Sequence, residues 1–230
     1  NGEIIAYEAL MRSQLATLKN PEMILRIARE ENKLEDVERI CIFKSTETFD
    51  QLRKNKLVKE DALLFINSIA SVSLNDEDRE RFHRYFSHIQ SQIVVEVTEE
   101  ENMSEEALIR KRETKGFSGM FALDDYGSGY NTEINLLNLS PKYIKIDLTI
   151  VRNIDKDFDK QQLVSNIVEY AHQREGYIIA EGIETKEELL KVLELGVDYL
   201  QGYYLSYPQL NPQEVSNESI KTIENYWKKR

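Results

Sequence analysis

Short apolar runs rich in β-branched and aromatic residues recur along the chain, separated by amphipathic stretches. The runs are Glu3–Arg12, Leu63–Ile69, Ile93–Glu99, Met120–Tyr126, Tyr143–Asp147, Tyr177–Ile183 and Tyr199–Leu205. Their composition and length predict buried strands. Helical patterns fill the gaps at Pro21–Glu31, Asp36–Leu52, Asn75–Ile89, Ser104–Lys115, Asp159–Arg174, Lys186–Leu195 and Pro212–Lys228. Asp76 and Asp78 suit a helix N-terminus, and Gly196 suits a helix stop. Strands alternating with helices imply a parallel sheet, because each parallel crossover needs a dozen or more residues. The expectation is an α/β fold, either a TIM-like (β/α)8 barrel or a doubly wound open sheet. Seven strands are visible, one short of a closed barrel.

Polar residues decide between the two folds. Each run is interrupted toward its end, by Glu8, Asn67, Glu96, Asp124 with Asp125, Lys145, Glu181 and Gln201 in turn. A carboxylate in a buried strand is expensive unless it is paired or bound to a metal. In a barrel these residues would share one end, where the active sites of that fold gather. An open sheet would spread the outer ones too far apart to cooperate. The set is rich in oxygen donors and has no histidine, since His83, His88 and His172 all fall on predicted helices. Oxygen ligands without His or Cys suit Mg²⁺ or Mn²⁺ rather than zinc. Adjacent Asp124 and Asp125 would repel one another unless cations sit beside them. A pair of divalent ions clamping a phosphodiester is one chemistry that needs such crowding. Lys145 adds a positive charge for a phosphate or an activated water.

Composition bounds the partners. The 30 Lys+Arg against 41 Asp+Glu leave a formal net charge of −11, spread along the chain. That balance argues against a surface that coats nucleic acid or an anionic membrane. It does not argue against a small phosphate ligand at an acidic pocket, where bound cations set the local sign. The mean hydropathy of −0.52 and the lack of a long apolar run argue against a membrane span. The single cysteine, Cys41, rules out an internal disulfide and fits a reducing, cytoplasmic compartment. With no Pro/Gly/Ser-rich linker, residues 1–230 read as a single domain.

Seven ordered motifs then resemble one family. Glu8-Ala9-Leu10-Met11-Arg12 resembles the signature of the EAL-domain cyclic di-GMP phosphodiesterases. It is followed in order by Asn67-Ser68, Glu96-Val97-Thr98-Glu99, Asp124-Asp125-Tyr126-Gly127-Ser128-Gly129, Lys145-Ile146-Asp147, Ala180-Glu181-Gly182-Ile183-Glu184-Thr185 and Gln201-Gly202-Tyr203-Tyr204. The resemblance implies a TIM-like barrel that cuts cyclic di-GMP to a linear guanine dinucleotide with a 5′-phosphate. It implies that Glu8, Asn67, Glu96 and Asp124 hold a first Mg²⁺ or Mn²⁺, and that Asp124 and Asp125 hold a second. Ca²⁺ would inhibit. Glu181 and Lys145 would position and deprotonate the attacking water, with the formal base left open between them, and Gln201 would bond near that water. Leu10 would pack on a guanine and Arg12 would pair with phosphate. Glu99 would support the loop after Asp124-Asp125 and Glu184 would orient the ligands, although both also read as ordinary helix N-terminal acids, and Asp147 reads equally well as a hydrogen-bond acceptor behind the ligands or as a helix cap. In the family that loop and the following helix form a homodimer interface.

Two departures stand out. Family members usually carry a strand with a Gln-Pro pair before the signature, so the chain reads as N-terminally truncated, lacking its first strand and an upstream sensor or cyclase-like domain. That upstream segment leaves room for a membrane anchor. Family members also commonly read Arg-Trp-x-His-Pro after the signature, where this chain has Arg12-Ser13-Gln14-Leu15. The alternative to an active enzyme is an inactive cyclic di-GMP receptor or signalling scaffold. Every ligand position of the family pattern is retained, which favours the enzyme.

Overall fold

A computed structural model describes residues 2–13, 15, 18, 20–98, 120–128 and 132–229. The chain divides into two compact units. The N-terminal unit spans Ile5–Val97 and Glu101–Met120; the C-terminal unit spans Phe121–Arg230 with Asn1–Ile4 and Thr98–Glu100.

In the N-terminal unit, strands β1 (Ala6–Ala9), β2 (Leu63–Asn67) and β3 (Ile93–Thr98) pair in parallel and in chain order. Helix α1 (Pro21–Glu30) starts where the Asn20 side chain accepts the Glu22 N–H at 2.9 Å and Pro21 supplies a pre-set φ. Helix α2 (Leu34–Lys54) buries the face carrying Glu38, Ile42, Thr46, Phe49 and Asp50. Helix α3 (Asp76–Phe86) is capped by Asn75, whose side chain accepts the Asp78 N–H at 2.8 Å. Ile42, Phe49, Leu64, Ile66, Phe82 and Ile93 form the core of this unit, with Phe43 packed edge-on against Phe82.

The C-terminal unit holds β4 (Phe121–Tyr126), β5 (Tyr143–Ile146), β6 (Tyr177–Ala180) and β7 (Tyr199–Leu200), again parallel and in chain order. Its helices are α4 (Thr132–Leu139), the single turn α5 (Leu148–Val151), α6 (Phe158–His172), α7 (Lys186–Glu194) and α8 (Asn217–Lys228). Side-chain caps set several starts: Asp157 for α6, a Thr185–Glu188 capping box for α7, and Ser216 for α8. Ile144, Ile146, Ile178, Ala180, Val168, Leu189 and Val192 are buried.

The seven strands of the described residues fall on the seven predicted runs, and each is shorter than its run. The signature illustrates the reason. Pairing with β2 runs from Ala6↔Leu63 to Ala9↔Ile66, so Leu10-Met11-Arg12 leave the strand and become loop. Helices α4 and α5 were not legible as hydrophobic periods, being two turns and one turn long. The predicted helix over Ser104–Lys115 lies outside the described residues. Among the described residues no helix is long and apolar enough to cross a membrane.

Candidate metal centre

Polar residues stand at the C-terminal ends of the strands, as the sequence pattern predicts. In the N-terminal unit Glu8 is the third residue of β1 and Asn67 the last of β2. Asn67 is paired in register with Glu96 of β3. Its Nδ2 donates to Glu8 Oε1 at 3.3 Å. Glu96 is fully buried, an expensive position for a carboxylate that balancing positive charge would stabilise. The Ser68 N–H donates to the Glu96 carbonyl at 3.0 Å and ties the end of β2 to β3. Leu10 and Arg12 follow β1 and are exposed; the Arg12 Nη1 donates to the Met11 carbonyl at 2.8 Å.

In the C-terminal unit Lys145 of β5 is the centre of charge. It is 1% exposed, and its Nζ lies 3.0 Å from Asp124 Oδ1 and 2.7 Å from Glu181 Oε1. Glu181 directly follows β6, and its N–H donates to the Ile146 carbonyl at 3.1 Å, which fixes it beside the end of β5. Asp125 reaches the same place by a backbone irregularity. In a regular strand adjacent side chains point to opposite faces. Here the β4–β5 register shifts between Leu123 and Tyr126, and Asp125 adopts φ 58°. A bulge of this kind re-aims a side chain. Carboxylate oxygens of Asp124, Asp125 and Glu181 consequently lie within 4.8 Å of one another. The donor set fits a hard divalent cation: metal–oxygen distances of about 2.0–2.6 Å put opposed ligands roughly 4–5 Å apart. Gln201 follows β7 and is exposed; its N–H donates to the Ala180 carbonyl at 2.8 Å, and its own carbonyl accepts the Ile183 N–H at 3.1 Å.

The family model for the EAL domain matches residues 1–208. The chain belongs to the EAL domain family. Among curated relatives, a cyclic di-GMP phosphodiesterase of Escherichia coli (strain K12), PdeF, is 33% identical over 120 residues, which is 51% of this chain and 16% of that protein. The chain thus spans only a minor part of that relative. Among solved structures, a standalone EAL protein of Vibrio cholerae O395 in its c-di-GMP bound form superposes with a TM-score of 0.75 at 23% identity, covering 94% of this chain and 90% of the other. Klebsiella pneumoniae BlrP1, in a calcium/cy-diGMP complex, gives a TM-score of 0.74 at 26% identity, covering 92% of this chain and 53% of that one. The α/β, TIM-like class read from the sequence stands on these likenesses.

Three residues of this EAL domain were expected to support the ligands. Asp147 caps α5: its Oδ1 accepts the Thr149 N–H at 2.9 Å and also bonds the Thr149 hydroxyl. Glu184 forms a two-pronged pair with Arg152, one arm being Nη2 to Oε1 at 2.5 Å. Those hydrogen bonds hold the Glu184 carboxyl below its ordinary range. Glu99 lies outside the described residues.

Two buried carboxylates were missed. Glu188, 1% exposed, accepts N–H groups from Asn153, Glu184 and Thr185 at 2.9–3.0 Å and so ties down the loop after Glu181. Glu38, 2% exposed on α2, holds the loop after Asn67. The signal for Glu38 was available: it falls four residues before Ile42 and eight before Thr46, on the buried stripe of its helix.

Proposed function

We propose that residues 1–230 act as one EAL-type domain that hydrolyses cyclic di-GMP to the linear dinucleotide carrying a 5′-phosphate, in the presence of Mg²⁺ or Mn²⁺. The observation that carries this reading is the buried Lys145 ammonium held between Asp124 and Glu181, with Asp125 in the same cluster. The names of relatives support it: PdeF is called a cyclic di-GMP phosphodiesterase, and BlrP1 has been solved with cy-diGMP together with calcium and with manganese.

The ligand roles follow the family pattern, with Glu8, Asn67, Glu96 and Asp124 for one ion and Asp124 with Asp125 for a second. A bound divalent cation supplies a more acidic water and offsets phosphate charge. Lys145 and Glu181 are 2.7 Å apart, so a proton taken from the attacking water has an acceptor and a neighbouring charge to balance it. The water oxygen bonds to phosphorus, the bond from phosphorus to the 3′ oxygen breaks, and that oxygen leaves as a hydroxyl, taking up a proton equivalent to the one the water gave. Arg12 pairs with a phosphate and Leu10 covers a guanine. Gln201 bonds the water.

The test is turnover of cyclic di-GMP by the purified chain with Mg²⁺. Glu8→Ala should abolish it. Tight binding of cyclic di-GMP by the folded wild type without any hydrolysis would replace the enzyme with a receptor or scaffold. Association of two copies through the segment Gly127–Leu139 belongs to the same proposal, and sedimentation velocity showing a monomer at all concentrations would remove it.

A further inference from the structure

We infer that Glu38 is a positioning residue for the metal site, acting through Asn67; the inference rests on the ligand role proposed for Asn67. The chain leaves β2 at Asn67 and turns at once. Both groups that the turn presents first to α2 are taken up by one carboxylate. The Ser68 hydroxyl donates to Glu38 Oε1, and the Ile69 N–H donates to Glu38 Oε2 at 2.8 Å. Glu38 sits in the second turn of a 21-residue helix and is 2% exposed, so its position is set by the packing of that helix.

Three short connections hold Asn67, the first of them from Glu38. Asn67 is held on its C-terminal side by the Ser68–Ile69 clamp. Its side-chain amide is held by Glu8 at 3.3 Å. Its neighbour Ser68 is pinned to the Glu96 carbonyl at 3.0 Å. The clamp thus fixes the one strand end whose amide is the weakest donor among the proposed ligands. A neutral amide oxygen binds a divalent cation through a dipole rather than a charge. Its contribution depends on arriving already oriented, more than that of a carboxylate which the cation itself attracts.

Burying a carboxylate is costly, and an ordinary loop anchor would be served by a neutral side chain. A charged acceptor makes stronger and shorter hydrogen bonds to both donors than an amide would. What the charge adds is stiffness in the turn that aims Asn67. Residues that orient metal ligands in this way change metal affinity or activity by about 10–100-fold when removed.

The experiment measures Mn²⁺ affinity of the full chain without substrate, by the electron paramagnetic resonance of free Mn²⁺, beside thermal unfolding in EDTA and cyclic di-GMP turnover. Glu38→Ala should weaken Mn²⁺ binding by about 10–100-fold. Ser68→Ala, which leaves the Ile69 bond, should weaken it less. Glu38→Gln should lie between wild type and Glu38→Ala. Should Glu38→Ala not fold, Ser68→Ala and Glu38→Gln decide the matter. Lower melting temperatures with Mn²⁺ affinity unchanged in the folded variants would make Glu38 a structural anchor only and overturn the inference. A wild type that binds Mn²⁺ but turns over no cyclic di-GMP would defeat the proposed activity while the affinity series still judged Glu38. A wild type that binds no Mn²⁺ would defeat both.

Discussion

Removing the Lys145 charge should destabilise the protein sharply, and a divalent cation should restore part of the loss. At an effective dielectric of about 20, unit charges at the observed 2.7 Å and 3.0 Å attract with roughly 6 and 5.5 kcal/mol. Desolvation of an ammonium that is 1% exposed offsets much of this gain. Loss of one partner from a buried pair, which strands the other, costs about 3–5 kcal/mol. In a domain of this size each kcal/mol moves the melting temperature by about 2–4 °C, so Lys145→Met should melt roughly 6–20 °C lower in EDTA at neutral pH. Mg²⁺ should raise the variant's melting temperature more than the wild type's, because the stranded carboxylates of Asp124 and Glu181 then have a cation again. Circular dichroism melts of both proteins, with and without Mg²⁺, measure this. Lys44→Met is the control: Lys44 is exposed and pairs with Glu47 at 3.2 Å, a contact worth no more than about 1 kcal/mol. If Lys145→Met in EDTA melted within about 2 °C of wild type, the reasoning that makes Lys145 the keystone of a buried charge cluster would fail.

Four further outcomes are expected. A methyl group at Gly202 would drive into the backbone N and O of Ile183, so Gly202→Ala should cost at least the roughly 1–3 kcal/mol of an overpacked core, read from denaturant midpoints. At Gly127 the described obstacle is the tip of the Ile150 side chain, so adding Ile150→Val to Gly127→Ala should recover part of its loss, the remainder reflecting the φ of +99°. Burial opposes ionisation of Glu188, but the N–H donors of Asn153, Glu184 and Thr185 outweigh it and hold the carboxyl below its ordinary 4.5. The stability it contributes is present above that value and lost as pH falls through the lowered one, so the melting gap between wild type and Glu188→Gln should narrow on acidification; a gap that widened would reverse the assignment. Ca²⁺ in place of Mg²⁺ should suppress turnover because its larger, looser coordination positions the water poorly, and equal rates with the two ions would count against a metal-positioned water.

The polar residues at the strand ends were legible because their position is local. A carboxylate that interrupts an apolar run announces itself wherever the run ends up: Glu8, Glu96 and Lys145 stand in the C-terminal halves of their strands, Asn67 ends β2, and Glu181 and Gln201 directly follow theirs. Some helix starts were legible too, at Pro21 and Lys186, whereas the helix expected from Pro212 begins at Asn217 behind its Ser216 cap. Strand lengths were not, because a strand ends where its partner's ladder ends; the pairing with β2, not the apolar character of Leu10 and Met11, closes β1 at Ala9.

By itself, the amino-acid sequence determined the order of the strands and of most helices, the oxygen-rich donor set and membership of the EAL family. These depend on residue type and spacing, which the chain carries before it folds. Three arrangements were decided only by tertiary structure. One is which residues clasp Lys145. Another is that Glu188, an ordinary helix acid to the eye, is a buried acceptor for the N–H groups of Asn153, Glu184 and Thr185. The third is the placing of Asp125 with Asp124. Period-two geometry would put the two neighbours on opposite faces of β4, and the left-handed backbone at Asp125, with the shifted register against β5, brings both carboxylates to Glu181. No local rule predicts that bulge, because it exists only where β4 meets β5.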